Sequence, residues 1–296
     1  MSSVSAATTP DFGPKRRERG LFASAMVRYA HNRVAVAALL IVVVLVAMAV
    51  FAPILRPEGY DNQVYSQAWQ FPSRAHPMGT DPYGRDMLTR VIYGARVSLS
   101  VALVVNLAAF LIGAPIGAAA GWFGGAVDFG LMRVVDVTSA FPTLLFAILM
   151  LAILGSGLVN IYIALSVTSW IAVARLVRAQ VLSLREQDYV LAARALGASN
   201  RQIITNHLIP NSLTPVIVAL TLGIPAAIMG EAGLSFLGIG VNSPTPSWGK
   251  MLNQYLPYVQ SHWYLSFFPG VMIALAMYAF TLMGDGLQDA LDPTAK

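Results

Sequence analysis

Between Val34 and Leu55 the chain runs for 22 residues without a charged side chain. As a helix rising 1.5 Å per residue, such a run is about 33 Å long, enough to cross a hydrocarbon core of roughly 30 Å. Further apolar stretches lie at 97–121, 131–155, 158–178, 211–238 and 264–284. The expected fold is therefore all-α and integral to the membrane, with six transmembrane helices in one membrane domain. Charged residues make up 11% of the chain against 56% hydrophobic ones, where a soluble domain carries roughly 25% charge. Ala47-Met48-Ala49 resembles a signal-peptidase box. The basic region before it is too long and the apolar run continues past it, so the first span reads as a retained anchor.

The chain has no cysteine, which excludes disulfides, a thiolate nucleophile and a Cys-based metal site. His31, His76, His207 and His262 show no metal-ligand spacing. The net charge of +5 comes mostly from arginine, and no basic stripe with interleaved aromatics suggests nucleic acid. On a membrane chain that basicity reads as topology. Lys15, Arg16, Arg17, Arg19, Arg28 and Arg33 precede the first span, and Arg175, Arg178, Arg185, Arg194 and Arg201 surround the fourth inter-span segment. The outer side holds Arg56, Arg74, Arg85, Arg90, Arg96 and Lys250. The bias puts both termini, and the loop after the fourth span, in the cytoplasm.

Gly and Pro interrupt several spans: Gly113-Ala-Pro115-Ile-Gly117, Phe141-Pro142, and Pro215, Gly223 and Pro225. Proline removes a backbone donor and clashes one turn back, so each is an expected kink. Such kinks are either ordinary membrane-helix usage or hinges lining a path.

The longest polar interruption between spans is Asp188-Tyr-Val-Leu-Ala-Ala-Arg-Ala-Leu-Gly197 and its continuation to Pro210. Asp188 fits an N-cap, and Tyr189, Ala192, Ala193 and Leu196 fall on one helical face whose two alanines permit close approach. Gly197 suits a left-handed turn. Ser199-Asn-Arg-Gln202 has the capping-box pattern that opens a second helix, which Pro210 is expected to bound. The product is a helix–turn–helix elbow, serving either as a docking element or as an amphipathic connector.

These residues resemble the EAA loop of ABC-importer permeases. Ala192-Ala193, three residues, Gly197, nine residues and then His207-Leu208-Ile209-Pro210 keep its spacing, while Leu191 stands where the family has Glu and His207 where it has Ile. His76-Pro-Met-Gly79-Thr80-Asp81-Pro-Tyr-Gly84-Arg85-Asp86, with Tyr93-Gly94-Ala95-Arg96-Val-Ser98-Leu99, resembles the signature of the C-type permease of dipeptide, oligopeptide and nickel importers. Glu231-Ala-Gly-Leu-Ser-Phe-Leu-Gly238 and Pro244-Thr-Pro246-Ser-Trp248-Gly249 match the same group.

The resemblance implies the type I ABC importer permease fold. Residues 1–33 and 287–296 would be cytoplasmic tails, 34–96 the first span and outer loop, and 97–286 the core, with a coupling loop at 186–210. It implies a second homologous permease subunit, two cytoplasmic ATPase domains that bind ATP and Mg, an extracytoplasmic solute-binding protein, and the bacterial inner membrane. Di- or oligopeptides are the implied cargo, with nickel, haem or another small solute as the alternative. Asp188, Tyr189, Ala192, Ala193, Leu196, Gly197 and Pro210 would couple to the ATPase.

Read locally, Asp81-Pro82 fits a helix start. Met87, Leu88, Val91 and Ile92 would then form a short interfacial helix feeding the second span. This loop is either scaffold or, through Asp81, Arg85 and Asp86, a docking surface for the binding protein. At membrane depth, ionisable residues are functional candidates. Arg133 and Asp136, three apart on one helix, are placed to pair. Glu231 near the outer end of the fifth span, with Pro225 and Ser235, would either line an outer gate or bond nearby backbone.

No Gly-rich turn followed by Lys-Ser or Lys-Thr occurs, so ATP hydrolysis is expected in a partner and not in this chain. An intramembrane serine protease is disfavoured, because Gly233-Leu-Ser235-Phe-Leu-Gly238 is one residue too long for GxSxG. A stand-alone channel or ion-coupled carrier would call for more intramembrane carboxylates and no elbow.

Overall fold

The structure, a computed structural model, describes residues 21–291. Lys15, Arg16, Arg17 and Arg19 of the amino-terminal segment, and residues 292–296 with Lys296, lie outside the described residues. Among the described residues twelve α-helices follow one another: α1 Leu21–His31, α2 Arg33–Val50, α3 Ala52–Leu55, α4 Met87–Phe123, α5 Gly125–Ser139, α6 Thr143–Leu154, α7 Leu158–Leu184, α8 Asp188–Ala195, α9 Asn200–Ile203, α10 Ile209–Phe236, α11 Trp248–Tyr255 and α12 Tyr264–Leu291. Among the described residues the only β-type pairing is an isolated bridge between Thr80 and Asp86. Among the described residues five helices are long and apolar enough to span a membrane, and α5 with α6, bent by 81°, makes the sixth if taken as one span.

Four boundaries differ from the sequence expectations. The first span ends at Val50, where Phe51 leaves the helix before the short α3. The second starts at Met87 and not near residue 97. Asp86 caps it through Thr89 N at 2.8 Å, so Asp81-Pro82 opens no helix and the interfacial helix is simply the outer part of α4. The third is broken at Ala140–Pro142, because Pro142 N cannot close the ladder and the preceding residue is driven out of the α region. The fifth is continuous with the elbow, running from Asn200 to Phe236. Pro210 therefore does not bound a helix. A five-residue π-helical segment, Ile204–Leu208, widens the turn just before it and accommodates the missing donor.

The core forms where α2, α4, α7, α10 and α12 meet. α4 and α7 pack along most of their length through a stripe of small residues. A Cβ added at Gly113 would lie 2.6 Å from Trp170 O, and one at Gly121 would lie 2.9 Å from Arg178 O. One at Gly117 would collide with Ala174 O. Glycines spaced four apart let two backbones approach, the small-xxx-small arrangement of membrane helices. Gly113 and Gly117, expected to serve a kink, are thus packing positions, and α4 runs through Pro115 unbroken.

One end of the bundle gathers residues 56–86 and 237–263, tied by Tyr255 to Asp81 and by Tyr264 to Thr80. The opposite end carries α8 and α9, with α1 held to the end of α12 by Arg28, whose Nη2 donates to Ala290 O at 2.6 Å.

Candidate functional site

At the elbow, α8 begins at Asp188 itself. The flanking Gln187 makes no side-chain cap, so Asp188 occupies the first turn, where its charge suits the helix dipole rather than capping it. Val190 is fully buried and Ala193 is half-buried. Both turn towards Trp122, Val177, Val181, Ile203 and Leu208. Tyr189, Ala192 and Leu196 point outward, and Leu196 is 89% exposed. The expected single face is therefore split, since Ala193 lies one helical step round from its neighbours and packs inward.

Gly197 takes φ +85°, and its turn closes with Gly197 N donating to Arg194 O at 3.0 Å and Ala198 N to Ala193 O at 3.1 Å. This is the Schellman pattern. The capping box of α9 is complete: Ser199 Oγ accepts from Gln202 N, and Gln202 Oε1 accepts from Ser199 N at 2.9 Å. Two contacts not anticipated from sequence bind the elbow to the end of α4. Arg194 lies over the Trp122 ring at 4.6 Å, and Arg185 Nη1 donates to Gly121 O at 3.0 Å. These contacts tie the elbow to α4.

Between α5 and α7 are two ion pairs. Arg178 binds Asp128 in a two-pronged contact of 2.5 and 2.6 Å, and Arg175 Nη2 meets Asp136 at 2.9 Å. Arg133 does not pair with Asp136 as its spacing suggested. Its guanidinium lies over the Phe129 ring at 5.2 Å, leaving Asp136 to the neighbouring helix.

Glu231 is fully enclosed between α4 and α10 beside the start of α11. Its carboxyl oxygens accept from Ser98 Oγ at 2.9 Å and from the buried Ser235 Oγ at 2.7 Å, while Ser98 Oγ also accepts from Trp248 N at 3.4 Å. Glu231 thus bonds serine hydroxyls rather than backbone, and both it and Pro225 are buried. α11 comes this close because Gly249 rests directly on Ala232 of α10. Trp248 fills the gap, with its indole Nε1 donating to Val91 O at 3.0 Å. Ser98 stood in the Tyr93–Leu99 signature, but nothing in the sequence tied it to Glu231, 133 residues away.

Asp81 and Arg85 are turned inward and form a buried pair at 2.6 Å. Asp81 also accepts from the amides of Tyr83 and Arg85 and from Tyr255 Oη. Burial alone would lower the Arg85 pKa, but Asp81 beside it holds the guanidinium above its ordinary value. Burial pushes the Tyr255 phenol well up. The Lys250 amine nearby is pushed down to about 8, by burial first and then by the charges of Arg90 and Arg85. Asp86 caps α4 and meets His76 at 2.9 Å. Asp81 and Arg85 therefore present no docking surface of their own; they lock the loop from inside. Asp81→Ala is expected to destabilise the protein by about 3 kcal/mol, because it leaves the buried Arg85 with only the more exposed Asp61, 3.3 Å from its Nη1. Tyr255→Phe, losing one hydrogen bond, is expected to cost about 1 kcal/mol. Thermal midpoints of the purified proteins check both.

Residues 113–296 match the family described as binding-protein-dependent transport system inner membrane component, and residues 20–77 match the N-terminal TM domain of oligopeptide transport permease C. The dipeptide transport system permease protein DppC of Bacillus subtilis (strain 168) is 46% identical over 267 residues, covering 90% of this chain and 83% of that protein. The oligopeptide transport system permease protein OppC of the same organism is 40% identical, covering 94% of this chain and 91% of that one. In fold, the chain resembles the inward-facing MetNI methionine ABC transporter, with a TM-score of 0.58 at 20% identity over 70% of this chain and 98% of that chain. With that fold and these relatives, the chain belongs to the binding-protein-dependent transport system inner membrane component family: it is a multi-pass permease subunit of an ABC importer and not an enzyme.

Proposed function

We propose that this chain forms one half of the translocation path of an importer for di- or oligopeptides in the bacterial inner membrane, and that it transmits the work of a separate ATPase through its elbow. The cargo is inferred from relatives named for dipeptide and oligopeptide transport. The observation that carries the coupling is the exposed apolar tip at Leu196, held on an elbow capped at both helix junctions and tied to α4. Tyr189, Ala192 and Leu196 would meet the ATPase, with Gly197 setting their angle. Ala193 supports that face from within, Asp188 stabilises the first turn of α8, and Pro210 lets the elbow run into α10 as one rod. ATP and Mg belong to the partner. Because closure must favour one arrangement of the helices over another, nucleotide binds the two with different affinity.

The second permease is a homologous but different chain, and a solute-binding protein docks on the outer loop that Asp81, Arg85 and Asp86 brace. Glu231, Ser235 and Pro225 brace α10 from behind the path. Both termini are cytoplasmic, with the membrane domain formed by residues 34–286.

Reconstitution tests this reading. Vesicles containing the chain, its second permease and the ATPases, supplied with the binding protein, are expected to take up labelled dipeptide only with ATP. Uptake by the purified chain alone would point to a channel or carrier, and uptake of nickel or haem in place of peptide would overturn the cargo.

A further inference from the structure

Arg96 stands on α4 at the outer end of a span, exposed, and among the described residues it has neither a hydrogen-bond partner nor an acidic partner. A cation at the membrane interface attracts an anionic headgroup. Beside it opens a cavity of about 480 Å³ between α2, α4, α10 and α12, lined by Val46, Val50, Leu99, Leu103, Ile224 and Phe280 among others. Apart from Arg96, the only polar side chain in the lining is Ser100, whose hydroxyl is engaged by Val97 O and Tyr162 Oη.

The arrangement is polarised along the membrane normal. Leu99 and Leu103 follow Arg96 at i+3 and i+7 on α4, further from the loop end of the bundle. On the other side of Arg96 lie Tyr60 and Tyr93, packed edge to face at 5.2 Å, the residue type that collects at the headgroup level. A cation beside interfacial aromatics, with an apolar slot running inward from it, has the shape and chemistry of a phospholipid's complement. A peptide would bury backbone amides in that slot without partners.

We propose that this groove holds one anionic phospholipid of the outer leaflet, its headgroup phosphate on the Arg96 guanidinium and one acyl chain along Leu99, Leu103 and Phe280. The site stands apart from the peptide reading, and its test measures no transport.

The natural chain lacks cysteine, so Val50→Cys offers a single fluorophore site on the wall of the slot. The full chain is reconstituted in phosphatidylcholine vesicles containing phosphatidylglycerol brominated on its acyl chains. Quenching is expected to exceed the bulk mole fraction by about fivefold, the equivalent of the ~1 kcal/mol that one Arg gains near anionic lipid. Arg96→Gln should return it to the bulk value with insertion unchanged. Leu103→Trp, which fills the slot and leaves the charge, should lower it as well. Quenching at the bulk mole fraction with Arg96 present would overturn the proposal. So would equal enrichment of brominated phosphatidylcholine that survives Arg96→Gln, or complete loss of enrichment once the second permease is added, since the groove would then be a subunit interface.

Discussion

Gly117→Leu is expected to abolish recovery of folded protein from membranes, with Gly130→Ala as a silent control. A Cβ at Gly117 would collide with Ala174 O and stand 2.9 Å from both Arg178 N and Val177 Cβ, so the first obstacle is backbone that has no rotamer to change. Helices in lipid gain little from hiding apolar surface from one another, and close packing is what holds them. Forcing α4 and α7 apart therefore removes contacts along the pair that packs most extensively in the molecule. The cost should be about 3 kcal/mol or more, at the upper end of overpacking. The displacement also moves Arg178 away from Asp128, adding a broken ion pair between α5 and α7. Nothing stands within 4 Å of a Cβ at Gly130, so alanine there costs no space. The check is the yield of folded protein extracted from membranes for each variant, with the thermal midpoint of whatever is recovered. Wild-type stability in Gly117→Leu would mean that the close approach of α4 and α7 is not what secures the bundle.

What was legible beforehand follows how far apart the interacting residues lie in the chain. Lipid imposes a length on apolar runs, so the spans could be read without any tertiary knowledge. The elbow was equally readable, because Gly197 and the Ser199–Gln202 box act within a few residues of themselves. Failures begin where a partner comes from another helix. Arg133 and Asp136 looked like a pair at three residues' separation, but Arg175, 39 residues away, wins Asp136. Gly113 and Gly117 flank Pro115 and so suggested a kink; only α7 reveals that Gly121 completes a packing stripe. Asp81 and Arg85 suit a scaffold or a docking surface alike, and only Tyr255, 174 residues on, shows that they are sealed inside. The break between α5 and α6 was legible only in part. Phe141-Pro142 marks a kink, but apolarity persists through it and hydropathy carries no information about direction, so the 81° bend was not legible.

Leu196→Asp is expected to yield a permease that inserts and folds normally yet purifies without its ATPase and loses at least tenfold of its ATP-driven uptake. Leu196 is 89% exposed at the apex of an elbow whose two junctions are both capped, so little of its side chain supports the fold. Burying a leucine in a partner's groove gains roughly 1.5–3 kcal/mol, and losing that term alone weakens binding by about ten- to a hundredfold. A carboxylate forced into the same apolar site adds a desolvation penalty. Gly197→Val separates shape from contact. A Cβ there meets nothing within 4 Å, so the damage comes only from φ +85°, a left-handed conformation that costs an L residue about 1–2 kcal/mol. That variant should therefore lower the thermal midpoint as well as uptake, while Leu196→Asp lowers uptake alone. Ala193→Trp cannot make the distinction, since Ala193 packs inward and its enlargement would disturb the elbow before it disturbed any partner. Full ATPase retention and full uptake in Leu196→Asp would remove the elbow tip from the coupling path. Transmission would then have to run through the Arg194–Trp122 and Arg185–Gly121 contacts with α4 alone.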